Sequence, residues 1–338
     1  MKKMIQKLTQ GIRERKHLTE AVLTYLVPVR QPLLLISQVQ RSGGTLLSQL
    51  LDAHPELHAH PHELKIGRPK KEDWPQLDPK ESPGKLFGEI WEENTRFFLQ
   101  NGYRKDIKTR EQKETFRCLF LPSIMRRAFL ADLGSKPSPA QRDVLDSYFT
   151  AYFNGWLDNR NLHGAKKYVS GFVPSLSSRP ASMERYWQDY PDGRVIFIVR
   201  DPCSWYASAS KYMPQKFGNL EDGLHQWTAS TEAILESRGK KPQQTLLYTF
   251  EDLVTRTEEV MRSICRNTGL SYHPTVLEPT FNGMPIRAAS SFSVDHVSHG
   301  VIKETAQRRH LLDDSTIRRI EEKTSSIYSD ALNKLTPI

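Results

Sequence analysis

The sequence predicts an α/β fold: an open parallel sheet with helices on both faces and a P-loop-type phosphate-binding loop, in one domain carrying a helical insertion. Three observations predict it. The continuously apolar run at 33–36 has the composition of a strand covered on both faces, and further short strand-like runs fall at 168–173, 194–199 and 245–250. Apolar residues at helical spacing follow, as in Leu46, Leu47, Leu50 and Leu51 after the first run and Leu253, Val260 and Ile264 after the last. A glycine pair, Gly43 and Gly44, punctuates the chain between the first run and its helix. Strands that alternate with helices in this way imply crossover connections and a parallel sheet.

Composition sets the outer bounds. At 338 residues, 38% hydrophobic and 26% charged, the chain has the makeup of a soluble globular protein with a sizeable core. Its 48 Lys and Arg against 39 Asp and Glu give a net charge of +9, a field that favours anionic ligands such as a nucleotide, a sulfated glycan, nucleic acid or an anionic lipid. Cys118, Cys203 and Cys265 are scattered and lack C-x-x-C spacing, so neither a disulfide framework nor a cysteine zinc site is expected. With no signal-type apolar core and no run of transmembrane length, the expected location is cytoplasmic.

Taken in order, residues 1–30 mix basic and apolar positions at helical spacing (Ile5, Leu8, Ile12) and read as an N-terminal helical extension ending at Pro28. Residues 31–338 are expected to form the α/β domain, with an insertion at about 65–130. There Pro69, Pro75, Pro79 and Pro83 interleave with charged residues, and six basic against three acidic residues fall within 104–117. That run reads as a solvated helix face, or as a lid over an anionic substrate. From 142 to 160, Val144, Leu145, Tyr148, Phe149, Tyr152, Phe153, Trp156 and Leu157 recur as adjacent pairs every four residues and predict an amphipathic core helix.

Two segments carry chemistry. In the first, an apolar strand runs into Gln40-Arg41-Ser42-Gly43-Gly44-Thr45-Leu46, the layout of a loop whose free amides converge on an anion at a helix N-terminus. The glycines allow close backbone approach, Arg41 adds a charged fork, and Ser42 and Thr45 add hydroxyl donors. The Walker spacing and its lysine are absent, which demotes ATP chemistry. In the second, the strand 195–199 ends in Arg200-Asp201-Pro202, with Ser208 placed on the second turn of a helix starting at Pro202. Arg200 would then stand at a strand's carboxyl end, where open α/β sheets bind ligands.

Together these segments resemble the sulfotransferase family that uses 3′-phosphoadenylyl sulfate (PAPS). The first looks like its 5′-phosphosulfate loop, [PK]-[RK]-S-G-T-T-[LW], and the second like its 3′-phosphate motif, R-[DN]-P with a Ser eight residues after the Arg. The run from Ser48 to Leu57 is similar to the bacterial and tyrosylprotein-type branches. The segment 246–254 resembles the family's Y-E-D-L element with Phe250 in place of Tyr, so that a hydroxyl contact is lost or passes to Tyr248. Ser291 and Lys303 fall where the family's nucleotide-covering loop would lie. The resemblance therefore implies a cofactor set of Arg41, Ser42, Gly43, Gly44, Thr45, Leu46, Arg200, Ser208, Tyr248, Ser291 and Lys303, and a PAPS-dependent enzyme releasing adenosine 3′,5′-bisphosphate without a metal. Gly44 departs from the pattern by removing a hydroxyl, and 168–174 lacks the lysine that many relatives carry. Arg41 is thus expected to carry most of the charge on the moving sulfuryl group, counting as catalytic as well as cofactor-binding.

The family's base, a Glu or His about twenty residues after the loop's basic residue, falls in a window holding His60, His62 and Glu63. Glu63 is the first choice and His62 the second. A His at about pKa 6.5 acts directly, whereas a Glu near about 4.3 needs a raised pKa or a polarised acceptor. His54, His58, His60 and His62 invite a metal reading, but Pro55 and Pro61 preclude a regular helix presenting them and no H-E-x-x-H spacing occurs. The expected partner is a hydroxyl-bearing carbohydrate or small metabolite, with no nucleic acid and no membrane span. The competing readings are a P-loop phosphotransferase and a non-catalytic basic module binding nucleic acid or sulfated polymer through 104–117 and the N-terminus.

Overall fold

A computed structural model describes residues 2–67, 70, 73–91, 103–104, 115–116, 118–286 and 300–338. The chain forms two compact units, one of Met1–Arg30, Gln76–Tyr103 and Phe116–His163, the other of Gln31–Pro75, Arg104–Thr115 and Gly164–Ile338. Most of the basic run 104–117 lies outside the described residues.

The first unit is helical. Its elements are α1 (Lys2–Thr24), α3 (Pro83–Trp91), α4 (Pro122–Gly134) and α5 (Gln141–Gly155). The aromatic stripe of α5 is core, with Tyr148, Phe149, Tyr152 and Phe153 all buried. The helix ends at Gly155, short of the 160 that periodicity suggests. Leu121 N donates to the Gly155 carbonyl and Leu157 N to the Leu119 carbonyl, so Trp156 enters a bridge with Phe120 instead of another turn. Arg30 closes the unit by bonding Thr150 Oγ1 at 2.7 Å and pairing with Asp132, whose other oxygen accepts from Ser147 Oγ at 2.6 Å. A buried charge is tolerated where it is paired in this way.

The second unit holds a parallel sheet of β1 (Leu33–Ser37), β2 (Leu57–Glu63), β3 (Tyr168–Phe172), β4 (Arg194–Val199) and β5 (Thr245–Thr249) in the order β2-β3-β1-β4-β5. Registers are continuous from Leu33 opposite Val169 to Val195 opposite Thr245, and every residue of β1, β3 and β5 is buried. Leu34 and Ile36, with Ile196, Ile198, Leu246 and Tyr248, form one core layer with α2 (Gly44–Leu51), α10 (Phe250–Thr255) and α11 (Thr257–Thr268). Four of the five strands coincide with the apolar runs. The fifth, β2, sits at the edge, where Pro61 costs no sheet hydrogen bond and where the register shifts between Ala59 and Glu63. The opposite edge, β5, is covered by the C-terminal tail. Thr336 N donates to the Leu247 carbonyl at 2.8 Å, and Thr336 Oγ1 accepts from Leu247 N at 2.9 Å. No helix among the described residues is long and apolar enough to cross a membrane.

The connection after β1 leads to β2 on one side of the sheet and that after β4 leads to β5 on the other, so the strand order reverses between β1 and β4. The crevice outside the carboxyl ends of β1 and β4 is therefore the ligand position that this topology dictates.

Candidate active site

The loop between β1 and α2 turns through two left-handed residues, Arg41 at φ 74° and Gly43 at φ 99°. Glycine adopts this conformation freely, but for arginine it costs about 1–2 kcal/mol, a strain found where surrounding contacts impose it. Trp205 Nε1 donates to the Gln40 carbonyl at 2.8 Å and Lys216 Nζ to Gln40 Oε1 at 2.9 Å. The Arg41 guanidinium lies over the Tyr212 ring, 4.0 Å from its centroid. Gly43 sits beneath Phe250, whose ring would come within 2.3 Å of a Cβ at that position.

The second element is β4 with α7 (Pro202–Tyr212). Pro202 takes the first helical position, and Asp201 caps the helix by accepting from Ser204 N at 2.7 Å, so Asp201 serves the helix rather than pairing with Arg200. Arg200 is 4% exposed and ties three distant segments together. Its Nη1 donates to the Arg41 carbonyl at 3.1 Å, its Nη2 to the Thr305 carbonyl at 2.8 Å, and its guanidinium rests on the Phe250 ring at 4.3 Å. Burial first, then the like charges of Arg41 and Arg308, lower its pKa to about 10 against the opposing pull of Glu251 and Asp201. Arg200 stays cationic at neutral pH. Arg200, at the carboxyl end of β4, thus carries the like charges of both Arg41 and Arg308, an arrangement that an anion relieves.

The site also shows atoms that want a ligand. Ser42 Oγ and Arg200 Nε are buried without a hydrogen-bond partner among the described residues. With the free amides at the start of α2, they fit a phosphate-bearing group.

The other sequence-derived residues are distributed as follows. Thr45 is exposed on the first turn of α2, and Leu46 is core behind it. Ser208 is buried on the second turn of α7, one turn beyond Ser204, whose Oγ accepts from Arg308 N at 3.1 Å. Lys303 is exposed at the start of the turn that delivers Thr305 to Arg200. Ser291 lies outside the described residues, as does the side chain of His62. Tyr248 is not brought to the loop. On β5 it shares the inward face with Leu246, its phenol is 2.9 Å from Ser263 Oγ, and burial raises its pKa to about 12. The hydroxyl absent at Phe250 does not pass to Tyr248, because the Tyr248 phenol is engaged by Ser263 while the Phe250 ring covers Gly43 and Arg200.

Glu63 ends β2, on the same edge of the sheet as Arg41 and Arg200 and two strand spacings, about 10 Å, from β1. It is half-exposed and pairs with Lys65 at 3.7 Å. Upstream of it, His54, His58 and His60 are all buried. His54 accepts from Glu56 N through Nδ1 at 3.1 Å, and its Nε2 lies 2.9 Å from the Ser271 carbonyl. His58 is buried, and desolvation followed by the charge of Lys166 depresses its pKa to about 4. Lys166 and Lys167 serve the far end of the sheet, donating to the Pro55 and Gly269 carbonyls. Sequence inspection missed Thr305 and Arg308, whose local signal is only a basic doublet downstream of Lys303, and Glu251, whose carboxylate accepts from Asp201 N at 3.3 Å.

A profile described as the Sulfotransferase family matches residues 32–274. Among solved structures, the chain is similar to the sulfotransferase domain from the curacin biosynthetic pathway, with 20% identity and a TM-score of 0.52 over 88% of this chain and 99% of that one. It is also similar to the sulfotransferase domain from the Synechococcus PCC 7002 olefin synthase, with 18% identity and a TM-score of 0.52 over 88% and 96%. At such identities the likeness speaks to the fold. No curated protein sequence matches the chain.

Proposed function

The chain belongs to the sulfotransferase family, and on that premise we propose that it transfers the sulfuryl group of PAPS to a hydroxyl of a carbohydrate or small-metabolite acceptor. The observation that carries the reading is the convergence of Arg41 and Arg200, with the orphaned Ser42 Oγ and Arg200 Nε, where the sheet order reverses.

PAPS supplies an activated sulfuryl group on a phosphate leaving group. Toward it, the loop 41–45 and the first amides of α2 bind the 5′ side, with Arg41 placed to neutralise charge that develops there. Arg200, Ser208 and Arg308 bind the 3′-phosphate from the opposite wall. Glu63 takes the proton of the acceptor hydroxyl as the new S–O bond forms, the gap of two strand spacings leaving room for the acceptor. His62 is the alternative base. Acceptor choice is assigned to the insertion and to residues 213–225, where Lys216 reaches the loop.

Calorimetric titration with adenosine 3′,5′-bisphosphate, run beside Mg-ATP and AMP, tests the reading. Micromolar binding of the bisphosphate with much weaker ATP is expected, and Arg200→Ala should weaken it more than tenfold, on the scale of a lost charge-assisted contact. ATP binding more tightly than the bisphosphate would sink the proposal. Glu63→Ala and His62→Ala should leave bisphosphate affinity nearly intact, with turnover abolished in one of them. If both stay active, the base lies elsewhere.

A further inference from the structure

Gly44 is small because another residue occupies its side-chain space. A Cβ at position 44 would lie 2.2 Å from Gln38 Nε2, 2.7 Å from Gln38 Cδ and 2.4 Å from a ring carbon of Phe172. Gln38 directly follows β1 and continues its alternation. Leu34 and Ile36 face the layer of α2, so residue 38 meets the first turn of that helix. Its main chain is pinned by Ser175 N, which donates to the Gln38 carbonyl at 2.8 Å. The side chain is 1% exposed, and its Oε1 is buried with no hydrogen-bond partner among the described residues. An unmet polar atom destabilises a fold, and leucine or methionine would fill the same volume without it. The carboxamide presents a donor and an acceptor in one plane and exchanges them by turning over in the same space.

We propose that the Gln38 carboxamide supplies the donor that a hydroxyl at residue 44 would otherwise supply, hydrogen-bonding an oxygen of the transferring sulfuryl group, so that residues 38 and 44 act as one unit. The inference rests on the PAPS reading above and adds a specific contact to it. The contact belongs to the sulfuryl group and not to the nucleotide, which separates it from a merely structural role.

The test compares the affinities of PAPS and adenosine 3′,5′-bisphosphate by calorimetry, with the slow conversion of PAPS to the bisphosphate in water as a second readout. Gln38→Leu, which keeps the volume and removes the donor, should bind the bisphosphate within twofold of wild type. It should bind PAPS at least fivefold more weakly and consume it at least tenfold more slowly. Gly44→Thr alone should lose affinity for both ligands through the clash with Gln38, and adding Gln38→Ala should recover PAPS binding relative to that single variant. If Gln38→Leu leaves the ratio of the two affinities unchanged, whether both hold or both fall together, the assignment is overturned while the nucleotide site stands. A wild-type protein that binds neither ligand overturns the PAPS reading, and this contact with it.

Discussion

Glu251 stands against Asp201 N with its other carboxylate oxygen, Oε2, buried and unpartnered among the described residues. Burial pushes its pKa up to about 7, more than Arg200 and the backbone bonds pull it down. The unfolded chain releases this proton near the ordinary carboxylate value of 4.5, so between that pH and about 7 the folded protein holds a proton that the unfolded one has lost. Stability contributed here is therefore present at low pH and is lost as pH rises through that window, up to about 3 kcal/mol. Urea unfolding at pH 5 and pH 8 should show wild type losing about 2–3 kcal/mol relative to Glu251→Gln. Equal losses would mean that Glu251 ionises as a free carboxylate. His58 works in the other direction: its lowered pKa makes its contribution full above about 6.5 and lost toward 4. The comparison with Glu251→Gln cancels that effect. Neither group was legible in the sequence as a titrating one, because burial by distant segments sets both. Arg41, Ser42 and Arg200 are singled out by a local signal: the first two lie in the glycine turn between an apolar strand and its helix, and Arg200 directly follows another such strand.

At the scale of elements, the β1–α2 turn depends on Gly43 twice, for its φ of 99° and for the Phe250 ring 2.3 Å from the place of a Cβ. Gly43→Ala should cost about 1–3 kcal/mol and weaken the bisphosphate at least tenfold. Adding Phe250→Ala relieves the clash but not the dihedral strain, so recovery should be partial, as read by thermal unfolding and calorimetry. Full recovery would assign the whole effect to the ring. Four strands were legible from apolar runs, and α7 began at Pro202 as its capping chemistry required. β2 was not legible, since its alternation of His, Ala and Pro offers little apolar face and an edge position asks for little. Nor does the sequence show that the Tyr248 phenol is engaged by Ser263 Oγ, a partner brought to it by a later helix.

At the scale of the molecule, the site is assembled from segments far apart in sequence. Arg200 holds the carbonyls of Arg41 and Thr305, and the latter lies beyond the stretch that the family profile matches. The C-terminal tail likewise completes the sheet at β5, and Pro337 accepts from Ser263 Oγ at 2.5 Å. Deleting residues 335–338 should cost about 2–3 kcal/mol for the lost hydrogen bonds and leave β5 open to pairing between copies. Thermal unfolding and size-exclusion chromatography at rising concentration would show it. An unchanged, monodisperse protein would refute the role given to the tail. The two halves of the site also share a feature of a different kind. The indole of Trp205 is bonded to the Gln40 carbonyl and that of Trp227 to the Arg200 carbonyl at 3.2 Å. Each wall of the crevice therefore carries its own fluorophore in direct contact with the backbone that a ligand would polarise. Occupancy can be followed by ultraviolet emission from the unlabelled protein, and replacing one indole at a time by phenylalanine tells which wall has been filled.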